Sequence, residues 1–287
     1  MNNIQNHFQC PNCSSKLHNL KCECGAKFNL LYWERSFYID FIDNKPVNFT
    51  KIEPKASPKF SDKLKIINKF IKNQSTVLDV GCGYGSVGYF IGKQNFLVGL
   101  DHSTYRLMQA KERGYNLLLR GDAYKIPFED NLFDVVISFE LIEHLLDPKK
   151  LLSEINRVLK ENGAVILSTP NLSYIFNRLS LLFGSGKGFF GDQGIRYPDQ
   201  EIHIRFFTFR SLKNLLSKHG FKVVYETGAH FPLPITVFPK ILQEPLFSLK
   251  LMLGKAFKSF SRQIFIVAKK TRKTKSTHDS FEPNNPN

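Results

Sequence analysis

Residues Thr76-Val77-Leu78-Asp79-Val80 run straight into Gly81-Cys82-Gly83-Tyr84-Gly85 and then into Ser86-Val87-Gly88-Tyr89-Phe90-Ile91. The first five read as a buried strand, the alternate glycines as a tight turn, and the last six as the start of a helix. Glycine supplies the positive φ that such a turn needs and lets backbone approach a ligand closely. A strand, a glycine turn and a helix N-terminus form a seat for a nucleotide-like ligand in a doubly wound sheet. Alone the pattern is common; its sequel makes it specific.

Residues 96–100 read as a second apolar strand that ends in Asp101, twenty residues after Gly81. An acid at that distance is placed to accept hydrogen bonds from ribose hydroxyls. Further strands are predicted at 116–120, closed by Gly121-Asp122-Ala123, at 134–139, and at 164–168, which is entered by Asn162-Gly163 and left at Thr169-Pro170. The run 134–139 is apolar throughout, as suits a parallel strand covered on both faces. Helical patterns fit at 104–113 and 148–160, and this alternation predicts a parallel α/β sheet. Strands at 221–227 and 263–268 bring the sheet to seven.

Taken in order, these landmarks resemble the class I S-adenosylmethionine-dependent methyltransferases, closely over 76–170 and more loosely over 200–270. The resemblance implies a Rossmann-like methyltransferase sheet and assigns cofactor roles residue by residue. Asp79, Gly81, Cys82, Gly83 and Gly85 would wrap the methionine part, Asp101 with His102 would meet the ribose, and Asp122-Ala123 would lie beside the adenine. Phe133-Asp134-Val135-Val136-Ile137-Ser138 followed by Glu140-Leu141-Ile142-Glu143-His144 is similar to the fourth-strand motif, with Glu140 on the cofactor side. Arg157-Val158-Leu159-Lys160 before Gly163 is similar to the approach to strand five.

Ahead of this domain stand Cys10-Pro11-Asn12-Cys13 and Cys22-Glu23-Cys24-Gly25. Two cysteine pairs beside turn residues look like the knuckles of a zinc ribbon, with Cys10, Cys13, Cys22 and Cys24 as ligands. The second pair is Cys-x-Cys, a departure from the usual Cys-x-x-Cys. Residues 1–9 lack the apolar core of a signal peptide, so a reducing cytoplasm is expected and metal ligation is favoured over disulfides. Cys82, in the glycine turn, is no candidate ligand. The expected division is a zinc ribbon at 1–48, with short strands within 32–48, then a linker and leading helix at 49–75. The methyltransferase domain follows at 76–269, with substrate-side insertions at 171–205 and 229–262, and a disordered basic tail at 270–287.

A net charge of +15 fits an anionic membrane surface, a nucleic acid or an acidic substrate, although the chain's joint richness in Lys, Asn, Phe and Ile also fits A/T-rich codon usage. A helix is predicted at 245–262, with Lys250, Lys255, Lys258 and Arg262 on one side and Leu249, Met252, Leu253, Phe257 and Phe260 on the other. Such a helix suits either peripheral binding at the inner face of a membrane or packing on its own sheet. Residues 175–183 offer a second apolar face. No run is long and apolar enough for a membrane span, and 231–254 is broken by Lys240, Glu244, Lys250 and prolines.

Glu140, Glu143 and His144 stand at i, i+3 and i+4, so a helical turn would put them on one face. His144 could then act as a general base, or Glu140, Glu143 and His144 could hold a divalent ion that orients a hydroxyl pair. The cluster resembles that of ubiquinone-biosynthesis O-methyltransferases. His203-Ile204-Arg205-Phe206-Phe207-Thr208 resembles a segment of bacterial methyltransferases linked to cell-surface glycan pathways. That likeness implies that His203 and Arg205 border the site mouth, with Arg205 gripping a carboxylate or phosphate. The alternative is that His144 fixes a loop and His203 braces the following helix, 211–219. His219 and His230 read as structural. The expected activity is O-methylation of a small-molecule, glycan or lipid-linked acceptor. The alternatives are RNA ring-nitrogen methylation, since a zinc ribbon also precedes this fold in ribosomal RNA guanine methyltransferases, and a non-catalytic scaffold whose ribbon docks a partner.

Overall fold

The structure is a computed structural model in which residues 7–17, 21–24, 29–33, 36–40, 67–91, 94–184, 203–232 and 240–271 are described. Most of the expected linker, parts of both insertions and all of the expected tail beyond Thr271 lie outside the described residues.

The elements are β1 (Asn29–Trp33), β2 (Ser36–Asp40), β3 (Thr76–Val80), α1 (Ser86–Ile91), β4 (Phe96–Asp101), α2 (Thr104–Ala110), β5 (Leu117–Arg120) and β6 (Phe133–Phe139). After them come α3 (Pro148–Val158), β7 (Leu159–Pro170), α4 (Ile175–Leu182), α5 (Phe209–Lys218), β8 (Phe221–Ala229), α6 (Lys240–Ala256) and β9 (Gln263–Lys270). One sheet runs β1-β2-β5-β4-β3-β6-β7-β9-β8. Strands β5, β4, β3, β6 and β7 are parallel, and β9 is antiparallel to both β7 and β8. The strand order reverses between β3 and β6, which opens a crevice at their C-terminal ends.

Period-two alternation divides the core. Leu78, Val80, Leu100, Val136 and Leu167 face a layer that includes Leu151, Ile155, Leu212 and Leu216 from α3 and α5. Val77, Val135, Ile137, Ile166 and Val267 face Ile67, Val87 and Ile91. Asp147 caps α3 by accepting from the Lys149 amide, with Pro148 in the first turn. Thr208 and Ser211 form a capping box on α5, which therefore begins at Phe209 rather than 211.

The seven predicted strands are present, and a hairpin extends them to nine. β1 and β2 pair with each other, and β2 lies parallel to β5. The N-terminal segment is therefore built onto the domain. Phe8 is 1% exposed and packs 5.2 Å from Phe128, and Cys10, Leu17 and Cys22 belong to the same buried cluster. The Gln9 amide donates to Pro127 O at 3.2 Å, and Arg157 Nη1 donates to Gln9 Oε1 at 3.3 Å and to Phe128 O at 2.6 Å. A unit too small for its own core borrows the core of its neighbour.

The helix expected at 245–262 is displaced. α6 begins at Lys240, carries Pro245 inside it and ends at Ala256. A Cβ on Gly254 would strike the Gly228 carbonyl, so close packing on β8 fixes its position. Lys258 pairs with Glu226 in a separate 3-10 turn, Lys258–Phe260, and Arg262 lies beyond that turn. Lys250, Lys255, Lys258 and Arg262 thus do not share one helical face. Proline favours a first turn, but packing tolerates it inside this helix.

Phe8→Ala is expected to lower the unfolding free energy of the whole domain by about 3 kcal/mol, measured by urea denaturation. A ribbon that folded apart from the sheet would leave the main transition unmoved.

Candidate functional site

The glycine turn sits where β3 meets α1. Gly81, Gly83 and Gly85 have φ of +75°, +52° and +80°. The amides of Gly81 and Cys82 donate to Leu100 O at 2.7 and 3.1 Å, which locks the turn against the end of β4. A Cβ on Gly85 would come within 2.8 Å of Ala110, whereas one on Gly83 would meet no atom closer than 4.0 Å. One glycine therefore serves packing, and the other leaves space over the strand ends.

Asp101, 4% exposed, accepts from the Gly83 amide at 2.9 Å through Oδ2 and from the Ser103 amide at 2.8 Å through Oδ1. Each carboxylate oxygen retains a second lone pair, so this held carboxylate can still receive a diol. His102 places Nδ1 3.5 Å from Asp101 Oδ1, and its carbonyl accepts from Arg120 Nε at 3.2 Å. The Gly121 amide donates to Asp101 O at 3.0 Å and brings Asp122 and Ala123 alongside. Asp122 Oδ1 accepts from the Tyr124 amide at 2.8 Å. Together with the cradle at Gly83, these groups fit an adenosine-bearing cofactor.

Asp79 is 2% exposed and accepts a 2.6 Å hydrogen bond from the Tyr115 hydroxyl. Burial pushes its carboxyl up to about 7, with the Asp101 charge adding to the effect and Tyr115 opposing it. Burial and the charges of Asp79 and Asp101 push the Cys82 thiol well up, which leaves it neutral and inert.

Beyond β6 the chain turns sharply. Glu140 has φ of +52°, and only Ile142–His144 forms a 3-10 turn. Glu140 accepts from Ser168 Oγ at 2.5 Å and Gln263 Nε2 at 2.7 Å, whereas Glu143 accepts from Thr169 Oγ1 at 2.9 Å. Ser168 and Thr169 are successive strand residues and point to opposite faces of the sheet. The two glutamates are thereby handed to opposite faces, and the single helical face expected for Glu140, Glu143 and His144 does not form.

His203 stands in place of Glu140. The Ile204 and Arg205 amides both donate to Glu143 O at 3.0 Å and dock the 203–206 segment on the turn. The His144 and His203 rings lie 4.8 Å apart, and His144 Nε2 is 3.9 Å from Glu143 Oε1, with Glu143 1% exposed. Donor atoms of Glu143, His144 and His203 fall within 4.8 Å of one another. Leu141 joins this trio to the glycine turn, since a Cβ on Gly81 would come within 3.1 Å of its side chain. Arg205 donates to the Leu146 carbonyl, and Thr208, not His203, caps α5.

The four N-terminal cysteines also converge. Cys10 and Cys24 place their sulfurs 3.7 Å apart, Cys13 and Cys22 3.3 Å apart, and all four lie within 4.8 Å. None is disulfide-bonded. Sulfurs about 2.3 Å from a tetrahedral zinc would stand at similar separations. Cys22 is buried and Cys24 exposed, yet both reach the cluster.

Sequence reasoning did not find Tyr115, Thr169 or Gln263. Thr169 carried one usable signal, its place at the C-terminal end of a parallel strand near the switch point. Tyr115 and Gln263 reach the site through tertiary folding and have no local signature.

A methyltransferase-domain family model matches residues 54–226. The chain belongs to the S-adenosylmethionine-dependent methyltransferases. An uncharacterised protein of Methanocaldococcus jannaschii is 27% identical over 262 residues, covering 88% of this chain and 97% of that one. The demethylmenaquinone methyltransferase of Staphylococcus aureus is 30% identical over 168 residues, covering 53% of this chain and 69% of the relative. A solved S-adenosylmethionine-dependent methyltransferase of Thermotoga maritima shares the fold with a TM-score of 0.53 at 18% identity, over 74% of this chain and 89% of that one.

The methyltransferase should show the raised Asp79 pKa in its stability. Between the ordinary 3.8 and about 7, the folded state keeps a proton that the unfolded state has lost. Its contribution is therefore full below the lower value and is lost as pH rises through the upper one, by up to about 4 kcal/mol. Asp79→Asn should remove that component, read as a smaller fall in urea-derived stability between these pH values. An unchanged slope would contradict the assignment.

Proposed function

We propose that this methyltransferase methylates a hydroxyl oxygen of a small-molecule, glycan or lipid-linked acceptor, and that Glu143, His144 and His203 activate the hydroxyl. The convergence of a buried carboxylate and two imidazoles beside the glycine turn carries this reading. In it, Gly81 to Gly85 hold the methionine end of S-adenosylmethionine, Asp101 its ribose, and Asp122 with Ala123 its adenine. The bound cofactor supplies an electrophilic methyl group on a sulfonium. What remains for the chain is to align an oxygen with that methyl and to take its proton. Imidazole is the commonest side-chain proton acceptor in such chemistry, which suits His144 to that role, and the Glu143 carboxylate behind it stabilises the imidazolium formed. Arg205 at the mouth offers a charged contact for an acidic acceptor.

The same convergence favours a second reading, in which Glu143, His144 and His203 would hold a divalent ion that would supply Lewis-acid activation of the acceptor hydroxyl. Two imidazoles and one carboxylate suit a transition metal better than magnesium.

Radiolabelled S-adenosylmethionine incubated with the protein and a fractionated cell extract should label the lipid or small-molecule pool. Label confined to RNA would overturn the acceptor class. His144→Ala should lower turnover about a hundredfold or more while S-adenosylhomocysteine affinity persists. Loss of turnover in a chelator, restored by manganese or cobalt, would select the metal reading over the direct base.

The N-terminal cluster is proposed to hold a structural zinc on Cys10, Cys13, Cys22 and Cys24. Purified protein should then contain about one zinc per chain, and a Cys13→Ser, Cys24→Ser variant should lose it together with thermal stability. Four freely reactive thiols in metal-free, equally stable protein would refute it.

A further inference from the structure

α4 has no buried residue. Phe176, Leu182 and Phe183 are 55%, 76% and 80% exposed, so the helix and its end present apolar side chains on more than one side. A helix that packed on its own sheet would bury a stripe, as α3 and α5 do.

Its root adjoins the segment that carries His203. The Leu172 amide at its root donates to Phe207 O at 2.8 Å, next to the 203–206 segment, where Ile204 and Phe206 are 44% and 43% exposed. Arg178 lies over the Phe260 ring at 5.2 Å, and that ring stacks with Phe257, itself 52% exposed. Asn171 ties the same root to Ser259 O and Ser261 O at 3.1 and 2.8 Å. Three segments with protruding apolar side chains are thus joined at one junction.

Charge identifies the occupant. Residues 171–184, 203–212 and 240–262 together contain eight Lys and Arg and a single acid, Glu244. Lys258 among them is held by Glu226 from β8. A protein partner with an apolar groove would not require so one-sided a rim, whereas an anionic bilayer offers hydrocarbon beneath a layer of negative headgroups. No helix among the described residues is long and apolar enough to cross a membrane, so contact would be interfacial.

We propose that this face, centred on α4, docks on an anionic lipid bilayer, with the apolar side chains entering the interface and Arg178, Arg205 and Lys255 meeting the headgroups. The geometry turns the site mouth towards the surface from which a lipid-linked acceptor would be taken. This last consequence rests on the acceptor class proposed above; the docking itself does not.

The test is sedimentation of the full chain with sucrose-loaded vesicles of phosphatidylcholine, alone and with a minority of phosphatidylglycerol, with no methyl acceptor present. Binding should require phosphatidylglycerol and weaken as salt rises. A Leu182→Asp, Phe183→Asp variant should partition about tenfold less, and an Arg178→Gln, Lys255→Gln variant about tenfold less. S-adenosylhomocysteine affinity and thermal stability should stay unchanged in both, because none of these residues contributes to the core. No binding to either vesicle, equal binding to both, or an aspartate variant that partitions like the parent would overturn the proposal. So would a dimer that the aspartate variant dissociates in the absence of lipid binding, since the occupant would then be a second copy. Because methyl transfer is not read, failure here leaves the O-methylation reading standing.

Discussion

The central strands of this sheet are buried on both faces, and that constraint arranges everything else. Val77 and Leu78 on β3, like Ile166 and Leu167 on β7, face opposite layers, and all four are fully buried. An unpartnered polar side chain there would lose its hydration for nothing. Chemistry is therefore displaced to the strand ends, where backbone amides and side chains meet at an edge. Asp101 at the end of β4 shows the economy of such an edge. One carboxylate fastens the glycine turn through Gly83 and starts α2 through Ser103, with lone pairs still available.

Alternation at a strand end also decides which groups can cooperate. Ser168 and Thr169 belong to one strand and draw Glu140 and Glu143 to opposite sides of the sheet. Helical spacing would have grouped the two acids with His144, but the positive φ at Glu140 breaks that spacing before it begins. His203, nearly sixty residues downstream, takes the vacated place because the 203–206 segment hangs its amides on the Glu143 carbonyl. The backbone and the side chain of one buried glutamate thus assemble the trio.

Features encoded locally were legible in the sequence. The glycine turn, the acid ending β4, the apolar parallel strands and the convergence of four cysteines all follow from period, turn chemistry or ligand spacing. Less legible was whatever depends on what a segment packs against. Nothing near Phe8 announces that it fills a gap beside Phe128, so the N-terminal segment read as a separate ribbon. A basic and an apolar side at helical spacing predicted a helix over 245–262, whereas α6 starts at Lys240, carries Pro245 inside it and meets β8 where Gly254 approaches Gly228. His144 and His203 were each singled out, yet their meeting is a property of the fold alone.

That meeting has a mechanical consequence. Ile204 and Phe206 stand exposed on the segment that carries His203, and its amides are bonded to the residue that supplies the trio's carboxylate. Ile204 and Phe206 lie one and three peptide units from His203, with no intervening element between them. α4, rooted at Asn171, joins the same junction through its bridge to Phe207. Surface contact and site geometry are therefore coupled by covalent proximity and short hydrogen bonds. The exposed apolar rim and the His144–His203 pair thus share one short stretch of backbone.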